Sequence, residues 1–293
     1  MKALIAAGLV LAFIAAPAAA QRLFPDSKMF TGERISAEVV GSGPDVVLIP
    51  GLASSRETWR ATAERLKGRY RLHLIQVAGF AGEAAGANAK GPVVIPTAEA
   101  IDAYIVAAHL SPATVVGHSL GGTIALWLAE HHPEHLKKVL LVDALPFVST
   151  VFISPTVTLD QATKIAEGLR NGPPQPDAAR ERMIEGMVTG EKDRAMVAAW
   201  GKASDPAVVG AALADDMELD LRPGLGAITT PITLVYPFDA TMGIPGAAWD
   251  QVYAGAYAPA HTVKLERVDG ARHFVMLDAP KSFAADLDAF LAK

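Results

Sequence analysis

Short apolar runs alternate with helical segments along most of this chain. Runs such as DVVLI at 45–49 and VLLVD at 139–143 are rich in β-branched residues and predict buried strands. This alternation is typical of a mostly parallel central sheet with helices on both faces. The predicted strands are 34–40, 45–49, 70–77, 113–117, 139–143, 232–236 and 262–268, and the predicted helices between them are 57–66, 97–110, 120–131 and 282–291.

The alternation stops between residues 145 and 222, where helical patterns follow one another without a strand. Helices are predicted there at 161–170, 177–188 and 193–202. We therefore expect an α/β core made of residues 21–144 and 223–293, interrupted by a helical lid insert at 145–222. The apolar faces of the insert carry Met183, Met187, Met196 and Trp200. These side chains either form an adaptable wall over a site or only pack the insert onto the core.

The first twenty residues have the pattern of a secretory signal peptide. Lys2 precedes an apolar stretch at 3–16, Pro17 interrupts it, and three alanines at 18–20 supply a cleavage site. The apolar stretch is shorter than the roughly 20 residues that span a bilayer. We expect cleavage after Ala20, export to the periplasm or the medium, and no stable membrane anchor afterwards. A retained N-terminal anchor is the alternative.

Composition narrows the classes of function. The chain has 293 residues, 51% of them hydrophobic, with a net charge of −5 and no block of Lys and Arg. Such a chain builds a packed core and is not expected to bind nucleic acid. It contains no cysteine, which excludes disulfides, a thiol nucleophile and a lipid anchor on cysteine.

Ser119 is the candidate nucleophile. Gly117-His118-Ser119-Leu120-Gly121 fits G-x-S-x-G, and it lies between a predicted strand and a predicted helix, as this motif requires. The sharp turn exposes the serine hydroxyl at the edge of the sheet. The same residue in an ordinary glycine-rich turn is the alternative.

A nucleophilic serine needs a base and an acid that orients the base. His273 follows the last predicted strand, at the sheet edge where ligands bind in such folds, and is the candidate base. Asp239 follows the strand before it and is the favoured acid. Asp143 also follows a strand and is its rival.

The other histidines receive different interpretations. His118 directly precedes the serine and is expected to pack or hydrogen-bond below the site. His131, His132 and His135 cluster near a helix end, where cations are favourable, and are expected to be solvated.

Two backbone amides are candidates for an oxyanion hole. Leu120 begins the helix after Ser119, so its N–H points to the same space as the hydroxyl. Leu52 follows Pro50-Gly51 directly after a predicted strand. An ordinary Pro-Gly turn is the alternative there.

At this point the sequence resembles the α/β-hydrolase fold family, in its lid-bearing, esterase-like branch. The resemblance runs from about residue 34 to 293 and rests on LIPGLASS at 48–55, GHSLGG at 117–122, ITLVYPFD at 232–239 and GARHFVMLDAPKSF at 270–283. It implies Ser119 as nucleophile, Asp239 as acid, His273 as base, and Leu52 and Leu120 as oxyanion amides. Two segments depart from the family pattern: Pro50 replaces a histidine, and 76–82 lacks the usual Asp and Gly-x-Gly.

These observations predict a secreted serine hydrolase that cleaves carboxylic esters of small molecules through an acyl-enzyme. No metal and no organic cofactor is expected for this chemistry. A lactonase, thioesterase, peptidase or perhydrolase would use the same triad. A ligand sensor that kept the fold without catalysis is the alternative from a different class.

Overall fold

The computed structural model describes residues 22–173 and 176–292. The predicted signal peptide at 1–20 lies outside the described residues. None of the described helices is long and apolar enough to cross a membrane.

Eight strands form one sheet, in the order β1-β2-β4-β3-β5-β6-β7-β8. Strands β3 to β8 run parallel to one another, while β2 is antiparallel to both β1 and β4. The strands are β1 (Lys28–Thr31), β2 (Ile35–Gly41), β3 (Asp45–Ile49), β4 (Arg71–Val77), β5 (Ala113–His118), β6 (Leu136–Val142), β7 (Ile232–Phe238) and β8 (Val263–Asp269).

Helices cover both faces of this sheet. Side chains of α2 and α3, among them Ile105 and Leu126, pack on one face, while Leu66 of α1 and Leu287 of α11 pack on the other. The helices are α1 (Arg60–Leu66), α2 (Val94–Ala107), α3 (Leu120–His131), α4 (Ser149–Phe152), α5 (Leu159–Asn171), α6 (Asp177–Met187), α7 (Glu191–Ala203), α8 (Pro206–Glu218), α9 (Gly246–Ala256), α10 (Val275–Asp278) and α11 (Pro280–Leu291).

The segment between β6 and β7 contains only helices in its described part, α4 to α8. Trp200 is buried against the second face of the sheet, with Met187 and Met196 partly buried beside it, whereas Met183 is exposed. Three of the four apolar side chains noted in this segment therefore pack onto the core. Helix α8 was not predicted, although Asp205 caps its first turn and Pro206 occupies its first position.

The chain directly after the predicted cleavage site is held on the core by a buried carboxylate. Glu38 on β2 accepts hydrogen bonds from the backbone N–H groups of Leu23 and Phe24 and from the Ser27 hydroxyl, at 2.6 to 2.9 Å. The Arg56 guanidinium lies 3.9 Å from the same carboxylate and compensates its charge. Burial of an acid is tolerated here because it is paired and fully hydrogen-bonded.

Candidate active site

Ser119 sits on a strained turn between β5 and α3. Its φ of 53° and ψ of −123° lie outside the usual regions for a residue with a side chain. The flanking glycines are required by space, because a Cβ on Gly117 would overlap the Gly121 carbonyl and one on Gly121 would overlap the Ile49 carbonyl. The Ser119 N–H donates to the Val142 carbonyl at 2.9 Å, which fixes the turn beside the end of β6.

His273 lies in the loop after β8, as the sequence predicted, and its ring is held from below by His118. The His118 Nε2 group is 3.0 Å from the His273 carbonyl oxygen, and the two ring centroids are 4.6 Å apart. Complete burial keeps the pKa of His118 well below its usual value. The ring is therefore neutral, and Nε2 must carry the proton that it donates to that carbonyl. His118 is a positioning residue, which agrees with the packing role expected for it.

The carboxylate that meets His273 belongs to Asp143. The His273 Nδ1 atom lies 2.6 Å from Asp143 Oδ2. Asp143 immediately follows β6 and has a φ of 47°, an uncommon backbone conformation for a residue with a side chain. Its N–H donates to the Val235 carbonyl at 2.9 Å, which anchors the turn on β7.

Asp239 does not contact His273 in this arrangement, so the preference for Asp239 over Asp143 is corrected. Its Oδ2 accepts from Arg272 Nε at 2.7 Å, and its Oδ1 accepts from the Thr241 N–H at 2.9 Å. The hydrogen bond from Arg272 is the main reason why the pKa of Asp239 is lowered. Arg272 therefore binds the Asp239 carboxylate, which the family resemblance had assigned to His273.

Tyr253 on α9 was not singled out from the sequence, yet it completes the surroundings of Asp143. Its hydroxyl donates to Asp143 Oδ1 at 2.5 Å, so both oxygens of this carboxylate are occupied. Burial, together with the nearby Asp143 charge, holds the pKa of Tyr253 well above its usual value, and the phenol stays a donor. Nothing in the sequence around Tyr253 indicates this role, because the contact joins residues distant in the chain.

The loop after β3 lies directly against the turn that carries Ser119. A Cβ on Gly51 would be 3.1 Å from both the Ser119 Cβ and the His118 Nδ1. Gln76 holds the loop through its side chain, which donates to the Ser54 carbonyl at 3.1 Å and accepts from the Arg56 N–H at 2.8 Å. Gln76 thus gives a structural role to the segment that departs from the family pattern.

Leu52 follows the glycine that packs on the Ser119 turn, and Leu120 follows Ser119 itself; their role as the two oxyanion amides stays a prediction. Leu120 is the first residue of α3, and the first N–H groups of a helix have no partner within it. Leu52 follows Gly51, and its carbonyl already accepts from the Ser54 hydroxyl at 3.2 Å. The loop and the helix start therefore border the space in front of Ser119.

Hydrogen bonds connect the His273 loop to the helical segment between β6 and β7. The Phe274 N–H donates to the Met187 carbonyl at 3.2 Å, and Arg272 Nη1 donates to the Glu185 carbonyl. Asp278 accepts from the Arg272 N–H at 2.9 Å and from both the N–H and the hydroxyl of Thr189, at 2.8 and 2.7 Å. These hydrogen bonds therefore couple the position of α6 to that of the His273 loop.

The structure places four predicted groups just after the ends of β3, β5 and β8, as the sequence predicted: Ser119, His273, Leu52 and Leu120. Their catalytic roles stay predictions. Ser119 Oγ makes no hydrogen bond to His273 in the described part of the chain. Such bonds are often long outside a reactive complex. Around Ser119, the described residues contain no cluster of metal-ligating side chains; the cluster that exists, Asp102 with His132 and His135, lies at the other end of α3.

Comparisons with known proteins agree with this architecture. The profile of the alpha/beta hydrolase family matches residues 46–286. A pimeloyl-[acyl-carrier protein] methyl ester esterase of Nitrosomonas europaea is 26% identical over 264 residues, covering 87% of this chain and 98% of that protein.

Solved structures show the same fold at low sequence identity. A hydrolase from Pseudomonas aeruginosa superposes with a TM-score of 0.72 at 17% identity, covering 92% of this chain and 99% of that one. A thermophilic esterase from Thermogutta terrifontis gives 0.70 at 18% identity, covering 88% and 94%. The predicted mostly parallel sheet with helices on both faces and the resemblance to the α/β-hydrolase family are confirmed. With the family profile covering most of its length, this chain belongs to the alpha/beta hydrolase family.

Proposed function

We propose that this protein is a serine hydrolase that cleaves carboxylic esters with Ser119, His273 and Asp143. The observation that carries the proposal is the 2.6 Å contact between His273 Nδ1 and Asp143 Oδ2, beside the strained turn at Ser119. A histidine oriented in this way presents its other ring nitrogen as a base. The esterase names among the relatives agree with this chemistry.

In the first half of the reaction, Ser119 Oγ bonds to the ester carbonyl carbon while its proton passes to His273 Nε2. Asp143 keeps the proton of His273 on Nδ1 and stabilises the charged ring that forms. The amides of Leu52 and Leu120 donate to the oxygen on which negative charge develops. The carbon–oxygen bond to the alcohol then breaks, and His273 returns its proton to the leaving alcohol.

In the second half, water replaces the alcohol. His273 takes a proton from water, the hydroxide bonds to the acyl carbon, and Ser119 Oγ leaves with the proton that His273 gives back. The reaction consumes one water per ester and needs no metal and no organic cofactor.

The substrate in this proposal is a small molecule with an apolar acyl or alcohol group. Met187, Met196 and Trp200 of the helical segment pack in the same apolar cluster as Phe274, so the surroundings of the His273 loop suit apolar groups better than charged ones. The relative from Nitrosomonas europaea is named for a methyl ester, so methyl esters of medium-length acids belong in the first panel.

Labelling with a fluorophosphonate probe and peptide mapping tests the assignment of the nucleophile. We expect label on Ser119 and a loss of about 10³-fold or more in kcat/KM for a p-nitrophenyl ester in S119A. S42A, at an exposed turn serine, is the matched control and keeps full activity. Equal rates for S119A and wild type, or label on another residue, would remove the enzyme proposal and leave a ligand sensor.

We also propose that the protein is exported and loses residues 1–20. Support comes from the signal-like pattern of that stretch and from Glu38, which holds the chain from Leu23 onward on the core. Cell fractionation followed by N-terminal sequencing tests this. Mature protein that begins at Gln21 in the exported fraction agrees with the proposal, whereas cytoplasmic protein that begins at Met1 contradicts it.

A further inference from the structure

Two histidines and an aspartate meet at the end of α3 that lies away from Ser119. His132 follows α3, His135 ends the short 3-10 turn after it (Pro133–His135), and Asp102 faces them from α2. One nitrogen from each histidine and one carboxylate oxygen all lie within 4.8 Å of one another. These three residues take no part in the proposed ester chemistry.

The carboxylate of Asp102 faces one nitrogen of each imidazole ring. Asp102 Oδ1 is 2.7 Å from His135 Nδ1, and Asp102 Oδ2 is 3.8 Å from His132 Nδ1. Two ligand atoms on one tetrahedral zinc ion lie about 3.3 Å apart, given bonds of about 2.0–2.1 Å. These two spacings bracket that value, and no two of the three ligand atoms are more than 4.8 Å apart. Shifts of up to about 1.5 Å would therefore let one ion accept all three ligands.

The backbone keeps this geometry in place. The His135 N–H donates to the His132 carbonyl at 3.0 Å, and Pro133 between them has a restricted φ. The two rings are parallel to within 3°, with centroids 5.9 Å apart. Little ordering is therefore needed when a ligand binds, which lowers the cost of binding.

The neighbouring His131 is excluded from the ligand set. Its ring stacks on Trp127 at a centroid distance of 4.2 Å, and its Nδ1 donates to the Trp127 carbonyl at 3.0 Å. The His131 ring therefore contacts Trp127 and is not available as a ligand, which makes His131 a suitable control.

The charge and exposure of the cluster also suit a cation. The side chains of Asp102, His132 and His135 are 13%, 31% and 27% exposed, which leaves an approach from solvent without full desolvation. Glu134 adds negative charge, with its carboxylate 3.8 Å from His132 Nδ1.

We propose that Asp102, His132 and His135 bind a transition-metal dication of the Zn²⁺ class and thereby fasten α2 to the end of α3. Imidazole nitrogen selects ions such as Zn²⁺, whereas Ca²⁺ and Mg²⁺ require oxygen ligands. Three protein ligands leave a fourth position for water. Ser119 precedes α3 and the cluster follows it, so the two sites are about 18 Å apart along this helix of 12 residues. Binding stabilises the folded chain by mass action and leaves ester cleavage unchanged.

Zinc titration of the full, metal-free protein by calorimetry tests the site, with Co²⁺ absorption as a report on the ligands. We expect one Zn²⁺ per chain, a higher Tm with Zn²⁺, and no effect of Mg²⁺. H132N, H135N and D102N each weaken Zn²⁺ binding at least about tenfold and abolish the Tm increase. H131N and H261N are the matched controls and bind Zn²⁺ like wild type.

Ester cleavage by each variant reports that it is folded, so loss of binding is not confused with loss of structure. Any of three results overturns the proposal: Zn²⁺ binding to wild type that does not saturate, Zn²⁺ binding that is unchanged in H132N, H135N and D102N, or a loss of Zn²⁺ affinity in H131N as large as in these three variants. If one ligand variant does not fold, the other two decide the outcome.

Discussion

His273 and Asp143 are joined by a 2.6 Å contact, although β7 lies between the strands β8 and β6 that they follow. Asp143 follows β6, and β6 is the immediate neighbour of β5, which leads to Ser119. The carboxylate that contacts His273 therefore follows the strand next to the one that carries Ser119. Asp239, at the end of the intervening strand, is held by Arg272. The arrangement therefore contains one carboxylate for the histidine and another for the arginine beside it.

The two aspartates are predicted to have separable effects on catalysis. D143N replaces the charged acceptor of the His273 Nδ1 proton with a neutral amide, whose NH2 group also favours the wrong tautomer, so kcat/KM should fall about 10³–10⁴-fold. D239N removes only the partner of Arg272 and should cost less than about tenfold. Ester hydrolysis by the two purified variants measures this directly. A larger loss in D239N than in D143N would restore Asp239 as the acid.

Removal of the Tyr253 hydroxyl is predicted to loosen Asp143. Y253F deletes the 2.5 Å hydrogen bond to Asp143 Oδ1, and a hydrogen bond to a charged group is worth about 1.5–3 kcal/mol. We expect kcat to fall about tenfold with little change in KM. Y257F is the matched control, because its hydroxyl donates to the Ala144 carbonyl at 2.9 Å and not to Asp143. Equal kcat losses in both variants would argue for a general packing effect.

Gly51 is predicted to be required by its closeness to the serine turn. A Cβ there would lie 3.1 Å from both the Ser119 Cβ and the His118 Nδ1, so G51A must push the loop away. The Leu52 amide moves with it, and loss of one oxyanion donor costs about 10²–10³-fold in kcat. G68A is the control, since a Cβ on Gly68 meets nothing within 4 Å. Unchanged kcat in G51A would show that Leu52 is not a donor.

Asp216 is predicted to make stability fall as pH rises. It is buried on α8, accepts a hydrogen bond from Thr123 on α3, and burial raises its pKa to about 7. Because this pKa exceeds the unfolded value, its contribution is full below about pH 4 and is lost as pH rises through about 7.

D216N removes this titration. The free energy of unfolding of the variant, relative to that of wild type, should therefore be higher at pH 8 than at pH 4 by on the order of 1–4 kcal/mol. Urea unfolding of both chains at the two pH values measures the difference. If the difference in unfolding free energy between wild type and variant is the same at both pH values, the assignment is contradicted. D26N, at an exposed position, serves as the control.

The pattern of the chain was sufficient for most of the fold because local periodicity encodes it. β3 and α3 begin and end where their sequences predicted, since a β-branched run and a glycine-bounded helix start are strong local signals. Helix α8 was missed, although Asp205 and Pro206 form a recognisable helix start. The alanines and glycine that follow them gave no clear apolar face.

The sequence by itself predicted Ser119, His273 and the loop that carries Leu52 as parts of one site, because each follows a strand end with its own local motif. It could not determine the acid, since Asp143 and Asp239 both follow strand ends and differ only in what surrounds them. Tertiary structure decided this by bringing Arg272 onto Asp239 and Tyr253 onto Asp143. It also brought Asp102 on α2 together with His132 and His135, which follow α3. Contacts between residues distant in sequence depend on packing, and no local pattern encodes them.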